Sequence, residues 1–473
     1  MKRITLAILA FTLNFAVAQT VCTGGFAGAY PCSNVNLMAR VDFPDMGGNA
    51  NTEGSSCWGW TDPLNGREYA IMGCSTHTAF VDITDPVNPI YKGKLPSTNN
   101  VASIWREMKV YNNYAFIVSE AGGHGLQIFD LTRLRTVTTP QTFAVDALYT
   151  GFGNCHTITI NEEKAYAYCN GTGTFGGGPH IVDISNPLNP VLAGGYADMG
   201  YSHDAQVITY NGPDIDHIGK EIFIGANEDQ VVYVDVTDPA NPSLISQFFY
   251  PNTSYTHQGW TTPDQRYWIL GDEIDELDFG FNSRSIVIDM SDLDNPVWSS
   301  EYFGPTEAID HNGFVLNDKF YLANYTAGLR IIGTADIDNG NLEEQGFFDT
   351  FPGNNNATFN GAWSVYPYFP SGSIIISDID RGLFIVRKGA ALGLTDFTGD
   401  DTLKIAPNPA VDVTTISASG IIETVAVYDI LGKEIKSFNG LSSSDFSFEI
   451  ADLAPGMYVV KVNNILVRKM IKQ

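Results

Sequence analysis

Through the body of the chain, apolar and polar positions alternate in short runs rich in Val, Ile, Tyr and Phe, broken by Gly, Asn and Asp, with almost no 3.6-residue period. Alternation of period two over four to eight residues predicts β-strands, so the body reads as all-β. One phrase punctuates the runs: VDITDPVNP (81–89), VDISNPLNP (182–190), VDVTDPANP (234–242) and IDMSDLDNP (288–296). Each copy has an apolar approach and an Asp, followed by an Asp or Asn and proline. Proline fixes φ and offers no donor, while Asp and Asn bond their own following backbone, so the phrase predicts a strand end and a turn. QIFDLTRLR keeps Asp130 without the prolines, and LRIIGTADIDNG and GLFIVRKG keep only the strand. Asp82, Asp130, Asp183, Asp235 and Asp289 lie 48, 53, 52 and 54 residues apart. A regular repeat of this length predicts a solenoid or a propeller.

Each unit holds four runs, in the third CHTITI (155–160), AYAYCN (165–170), HIVDIS (180–185) and PVLAGGY (190–196). Four antiparallel strands per repeat make the blade of a β-propeller. Inner strands are expected near Trp58, Trp105, His156, His203, His257, His311 and Trp363. Outermost strands are expected at LMARVDF (37–43), PIYKGKL, PQTFAVDA, PVLAGGY, PSLISQFFY, PVWSSEYF and LEEQGFFDTF, and both counts give seven. The last unit stops at LFIVRKG without an outer strand, and residues 37–43 precede any inner one. They therefore complete the last blade and close the ring without an open edge. The expected order is a signal peptide (1–18), an N-terminal segment (19–36), a seven-bladed propeller (37–389), a linker (390–401) and a small C-terminal β-sandwich (402–473).

The signal peptide rests on Lys2 and Arg3, a short apolar run and Ala16-Val17-Ala18, with cleavage expected before Gln19. No later stretch approaches 18 apolar residues, so no transmembrane segment is expected. The chain has 53 acidic and 26 basic residues, a net charge of −27. Such a charge opposes binding to phosphate backbones and anionic membranes, which excludes nucleic acid as a partner. All six cysteines lie between 22 and 169. An even number in an exported chain favours disulfides, and corresponding places on neighbouring strands suggest Cys57–Cys74 and Cys155–Cys169, leaving Cys22 with Cys32. No CxxC spacing supports a thiolate metal site.

Candidate chemistry centres on histidine. Four of the eight, His156, His203, His257 and His311, open consecutive inner strands, and an aromatic residue follows three of them ten positions later, at Tyr166, Tyr267 and Tyr321. By the same offset from Phe116, Arg106 takes that place in the second blade. Inner strands line a propeller's channel, so these groups, with Glu107 and Asp204, are candidates to hold zinc or another transition metal, or to supply a general base. The competing reading makes each histidine a hydrogen-bond bridge between blades, because four imidazoles must come within about 2.1 Å of one ion, which a wide channel resists. A second group sits after second strands, in SEAGGHG, CNGTGTFGGG, ANEDQ, GDEIDELD and SDID. There Glu120, His124, Glu228, Asp229, Asp272, Glu273, Asp378 and Asp380 would form a polar rim. Its oxygens suit calcium, yet no DxDxDG loop is present, and ordinary solvated turns are the preferred reading. No nucleophile elbow occurs, and no helix follows GTGTFGGG to make it a phosphate cradle.

The last 70 residues carry, in order, Pro407-Asn408-Pro409, a YDxxG run from Tyr428 to Gly432, Gly456-Met457-Tyr458 and a terminal Lys/Arg cluster. This set resembles the C-terminal sorting domain of the type IX secretion system found in Bacteroidetes. The resemblance implies passage across the outer membrane by that machinery, removal of the domain by its sortase, and anchoring at the cell surface. The repeated phrase is similar to the LVIVD repeat. Its longer context (SIWREMKVYNNYAFIVSEAGGHGLQIFDL, YSHDAQ, YTHQGW, DHNGF, SDIDRGLFIV) resembles the choice-of-anchor B family, whose members share a repeat body and differ in their C-terminal anchors. These resemblances imply an address and a fold, and name no reaction. Two functional readings follow: an exported surface propeller that binds a glycan or protein through one face without catalysis, or an enzyme using a His-lined, metal-containing channel.

Overall fold

The computed structural model describes residues 19–389, 403–428, 434–463 and 466–473. The expected signal peptide and linker, and Gly432, lie outside the described residues. The chain divides after Gly389 into two units.

The repeated phrase builds the same local structure in each copy. The Oδ1 atom of Asp82, Asp130, Asp183, Asp235 or Asp289 accepts the N–H two residues on, at Thr84, Thr132, Ser185, Thr237 or Ser291. Where the phrase continues as Asp-x-x-Asn, the second Asp binds the Asn side chain: Asn88 donates to Asp85 at 2.9 Å, Asn241 to Asp238 at 3.0 Å and Asn295 to Asp292 at 3.2 Å. The four proline-bearing repeats thus end their third strand in a self-bonded turn, and the chain reverses into the fourth.

The first unit is all-β, arranged as sheets of four or more strands that are antiparallel but for one two-residue pairing. In the first, Gly54–Thr61, Glu68–Cys74, His77–Asp82 and Ile90–Pro96 lie side by side; in the second, Arg106–Tyr111, Tyr114–Ser119, Leu126–Asp130 and Ala147–Tyr149. The next three begin with Thr157–Asn161, Asp204–Thr209 and Thr256–Thr261, and the last two with Gly313–Leu316 and Ala362–Tyr366. Each of these first strands packs beside the first strand of the next sheet, and Ala362–Tyr366 packs beside Gly54–Thr61. Val35–Val41 pairs antiparallel with Gly382–Lys388 and is the fourth strand of the last sheet. The arrangement is propeller-like.

The sheets bury both faces against their neighbours, which is why middle strands such as Glu68–Cys74 and Tyr267–Asp272 have no exposed position. Between the first two sheets Phe80 stacks on Phe129 with centroids 4.6 Å apart, and Ile71, Ile117 and Phe143 close around them. Between the fourth and fifth, Tyr233, Ile224, Trp268 and Ile286 do the same. Burial of each such side chain contributes roughly 1.5–3 kcal/mol.

Three expectations are corrected. First, PQTFAVDA is not the outer strand of the second sheet. Gln141–Thr142 crosses to pair in parallel with Ile90–Pro96 of the first sheet, and Ala147–Tyr149 takes the outer place. The second repeat lacks the proline turn, so a 3-10 segment, Leu131–Thr136, leads the chain outward to its neighbour. Gly93 permits the approach, since a Cβ there would stand 2.2 Å from the Gln141 carbonyl oxygen. Second, Trp58 does not open an inner strand but stands inside one, opposite Ile71. Third, Cys57, Cys74, Cys155 and Cys169 are buried free thiols, not the two expected disulfides. A bulge between Gly54 and Cys57 puts Cys57 opposite Met72, two positions short of Cys74, beyond the usual reach of a disulfide. Cys169 stands opposite Ile158 with its thiol against that of Cys155, yet the two remain free, and the Cys155 thiol donates to the main-chain oxygens of Thr157 and Asn170 at 3.0 and 3.2 Å. Cys22–Cys32 is a disulfide, and it ties down the N-terminal hairpin that extends the sixth sheet through Cys32 opposite Phe348.

The second unit is a five-stranded sheet of Leu403–Ala406, Val413–Tyr428, Gly456–Val462 and Leu466–Lys472, with Glu434–Glu449 paired to Val413–Tyr428. The two long strands break register between Ser417 and Thr424. Leu403, Ile416, Val427, Phe448, Tyr458 and Val460 belong to its own core. Pro407 and Pro409 follow the first strand with cis peptide bonds, and the Asn408 side-chain oxygen accepts the Ile471 N–H at 2.8 Å.

Candidate metal centre

Where the first strands begin, Trp105, His156, His203, His257, His311 and Trp363 line one cavity of about 20 Å³, the size of a single ion or water. Strand register explains the set. Arg106 stands opposite Ser119 as Asp204 stands opposite Ala226, so Trp105, not Arg106, occupies the histidine's place in the second sheet. His257 and Trp363 sit at register bulges that turn them to the same side.

The ring nitrogens have distinct roles. Nδ1 of His203 donates to the His257 main-chain oxygen at 3.0 Å, and Nδ1 of His311 donates to that of Trp363 at 2.5 Å. A carbonyl only accepts, so both rings carry their proton on Nδ1 and present Nε2 as a bare lone pair. Nδ1 of His156 lies 2.6 Å from Glu120 Oε1, and its Nε2 lies 2.6 Å from His203 Nε2. Neighbouring rings along His156, His203, His257 and His311 have centroids 4.3 Å apart.

Glu273 completes the group. Its Oε2 lies 3.7 Å from His257 Nε2, its Oε1 lies 3.5 Å from His311 Nε2, and the Tyr325 hydroxyl donates to Oε1 at 2.7 Å. His257 Nε2 is buried without a hydrogen-bond partner among the described residues. Donor atoms of His257, Glu273 and His311 all lie within 4.8 Å of one another. Ligands bound at about 2.1 Å to one tetrahedral ion stand about 3.4 Å apart, close to the distances observed. Burial pushes His203 and His257 well below the usual imidazole range and His311 down to about 3, so the rings stay neutral. Burial also lifts Glu273 to about 7. Neutral imidazoles with one carboxylate form a donor set for zinc, iron, copper or nickel.

The other candidates fall elsewhere. Glu107 borders the cavity and is ion-paired with Lys109. Asp204 lies beside that pair, its carboxyl held well above the usual range by burial and then by the Glu107 charge. The Arg106 guanidinium is spent inside the sheets on the Cys74 oxygen at 3.0 Å, on Ser97 and on His124 Nε2 at 3.0 Å. His124 is fully buried there, away from any rim. Asp378 accepts the N–H groups of Asp380 and Arg381 at 2.9 and 2.8 Å, and Asp380 accepts Gly361 N–H at 3.0 Å, so both shape a turn. Trp58, Trp260, Phe314, Tyr366 and Tyr368 meet edge to face, and Lys109 lies over the Trp58 ring. The channel is therefore filled, not wide. Sequence reasoning placed Glu273 only on a rim and missed Tyr325 and the Trp363 carbonyl; pairing between distant strands decides these contacts, and local spacing carries no signal of it.

Residues 404–473 match the family model for the secretion system C-terminal sorting domain, and residues 165–198 match that for the LVIVD repeat. The tail therefore marks the chain for export to the outer-membrane surface or for secretion. No helix among the described residues is long and apolar enough to cross a membrane. No curated protein matches the chain. Among solved structures, the fold is similar to PorZ, a surface component of the type-IX secretion system of Porphyromonas gingivalis, at 12% identity and TM-score 0.47, over 86% of this chain and 58% of that one. The chain thus spans 58% of the PorZ structure. It is also similar to Kuenenia stuttgartiensis hydrazine synthase, at 11% identity and TM-score 0.48, over 74% of this chain and 97% of that one.

Proposed function

We propose that the protein is an exported, surface-anchored, seven-bladed β-propeller of the choice-of-anchor B type, closed by Val35–Val41, that binds one divalent transition metal at the His end of its channel. The sorting tail, folded as a sandwich over its own core, delivers it. The observation that carries the reading is the convergence of His257 Nε2, His311 Nε2 and both oxygens of Glu273 at 3.5–3.7 Å beside an ion-sized cavity. The cavity is too small for an organic ligand, so a glycan or protein partner would engage the face above it. Trp105 and Phe359, 43% and 49% exposed, give that face apolar area.

The test is elemental analysis of protein purified without affinity histidines or chelator. One equivalent of a transition metal is expected, lost in His257→Ala and in Glu273→Gln. Protein that stays metal-free, and whose melting temperature ignores added zinc, copper, iron, nickel and manganese, would overturn the reading.

A further inference from the structure

A separate group of acids lies behind the channel, where the segment after Tyr267–Asp272 meets the segment before Gly313–Leu316. Asp275, Glu276 and Asp310 are 0%, 4% and 0% exposed, and their oxygens lie within 4.8 Å of one another. Only two of the six oxygens are spent: Asp275 Oδ2 accepts from Arg284 Nε at 2.6 Å, and Glu276 Oε1 accepts from Asp310 N at 3.2 Å. Asp275 Oδ1, Glu276 Oε2 and both oxygens of Asp310 are buried and, among the described residues, meet only one another's carboxyls. Asp310 is thus a fully buried side chain whose oxygens meet no donor among the described residues and face only the Glu276 carboxyl, aimed into the group. Left so, each such oxygen loses its hydration with nothing in return.

Charge and geometry indicate what would satisfy them. Fully ionised, the three carboxylates against the Arg284 guanidinium would carry a charge of −2, which a divalent cation cancels. Nearby Asp272 has its own donors, the Tyr250 hydroxyl at 2.8 Å and the N–H groups of Ser254 and Tyr255 at 2.9 and 2.6 Å. The free donors are all oxygen, with no imidazole or thiolate among them, which selects a hard cation. Calcium accepts six to eight oxygens at about 2.3–2.6 Å in flexible geometry, whereas magnesium demands near-octahedral geometry at about 2.1 Å and keeps several waters, for which this buried group has less room. The backbone also leaves room for this carboxylate: a Cβ on Gly271 would stand 2.1 Å from Asp310 Oδ2.

We propose that Asp275, Glu276 and Asp310 form a buried calcium site. Its donors are distinct from the imidazole centre and do not depend on it. Asp310 adjoins His311 and Asp275 lies two residues from Glu273, so the cation ties together the two segments that bring those side chains to the channel.

The experiment is calcium analysis and calorimetric titration of the full chain before and after chelator treatment. One equivalent of calcium is expected to be retained or to rebind, raising the melting temperature. Asp310→Asn and Glu276→Gln should each weaken calcium at least tenfold, while His257→Ala keeps calcium and loses the transition metal. Folded, chelated wild type that neither binds calcium nor shifts its melting temperature at millimolar calcium would overturn the proposal, even where a variant fails to fold. So would an Asp310→Asn protein more stable than the calcium-saturated parent, because the acids would then rest as protonated neighbours.

Discussion

Nδ1 of His311 donates to the main-chain oxygen of Trp363 at 2.5 Å, while Nε2 of the same ring faces Glu273 at 3.5 Å. One imidazole therefore bridges two sheets with one nitrogen and offers a lone pair with the other. The bridging role and the metal role are compatible, because the first fixes the tautomer that the second requires.

The two roles separate by substitution. Asn reaches the Nδ1 position but supplies no Nε2, so His311→Asn should keep metal-free stability within about 1 kcal/mol and lose the transition metal. His311→Ala orphans the Trp363 carbonyl, leaves a cavity and should cost about 2–3 kcal/mol as well. Thermal melts in chelator, paired with metal content, distinguish them; equal stability of the two variants would argue against the bridge.

Buried ionisable groups outside the channel act in opposite directions with pH. Burial pushes His77, His124 and His180 from 6.5 down to about 4, so their contribution is full above pH 6.5 and is lost as pH falls through 4. Burial lifts Glu221 to about 7, so its contribution is full below its unfolded value and is lost as pH rises through 7. His180→Gln should therefore gain on the parent as pH drops from 6.5 to 4, and Glu221→Gln as pH rises from 4.5 to 7. Each change is bounded at roughly 3 kcal/mol. Melting temperatures of variant and parent across pH 4–8 check both signs.

The cysteine assignment is checked by counting thiols. Burial raises Cys57 and Cys74 to about 12 and Cys155 well above its ordinary value, so none should react in the native state. Unfolded without reductant, the protein should expose four thiols, with Cys22 and Cys32 silent. No thiols at that step would restore the Cys57–Cys74 and Cys155–Cys169 bridges.

Gly271→Ala tests the crowded acid site. Its methyl would meet Asp310 Oδ2 at 2.1 Å, so the fully buried carboxylate or the strand must shift. A loss of about 1–3 kcal/mol is expected, with loss of calcium binding. Wild-type calcium affinity in this variant would place Asp310 outside the site.

Local chemistry made the repeat legible. Asp82, Asp183, Asp235 and Asp289 act on residues two positions away, so their Asx turns and the strands before them follow from sequence neighbours alone. The pairing of Val35–Val41 with the last sheet was also readable, since one unit lacked an outer strand and one strand lacked a unit. Failures came where a contact depends on register. Bulges at His257 and Trp363 turn those residues toward the histidines, and a bulge before Cys57 carries it away from Cys74; one residue of slip reverses a side chain's face, and no local composition announces it.

The sequence by itself determined the all-β body, its period of about fifty residues, the acidic charge and the sorting tail, because each is written in adjacent residues or in sums over the chain. Only the tertiary structure decided that Glu273, Tyr325 and the Trp363 carbonyl meet His257 and His311, and that Asp310 meets Asp275 and Glu276. These partners lie 16 to 52 residues apart and come together because sheets packed around a common centre bring equivalent strand ends to one place.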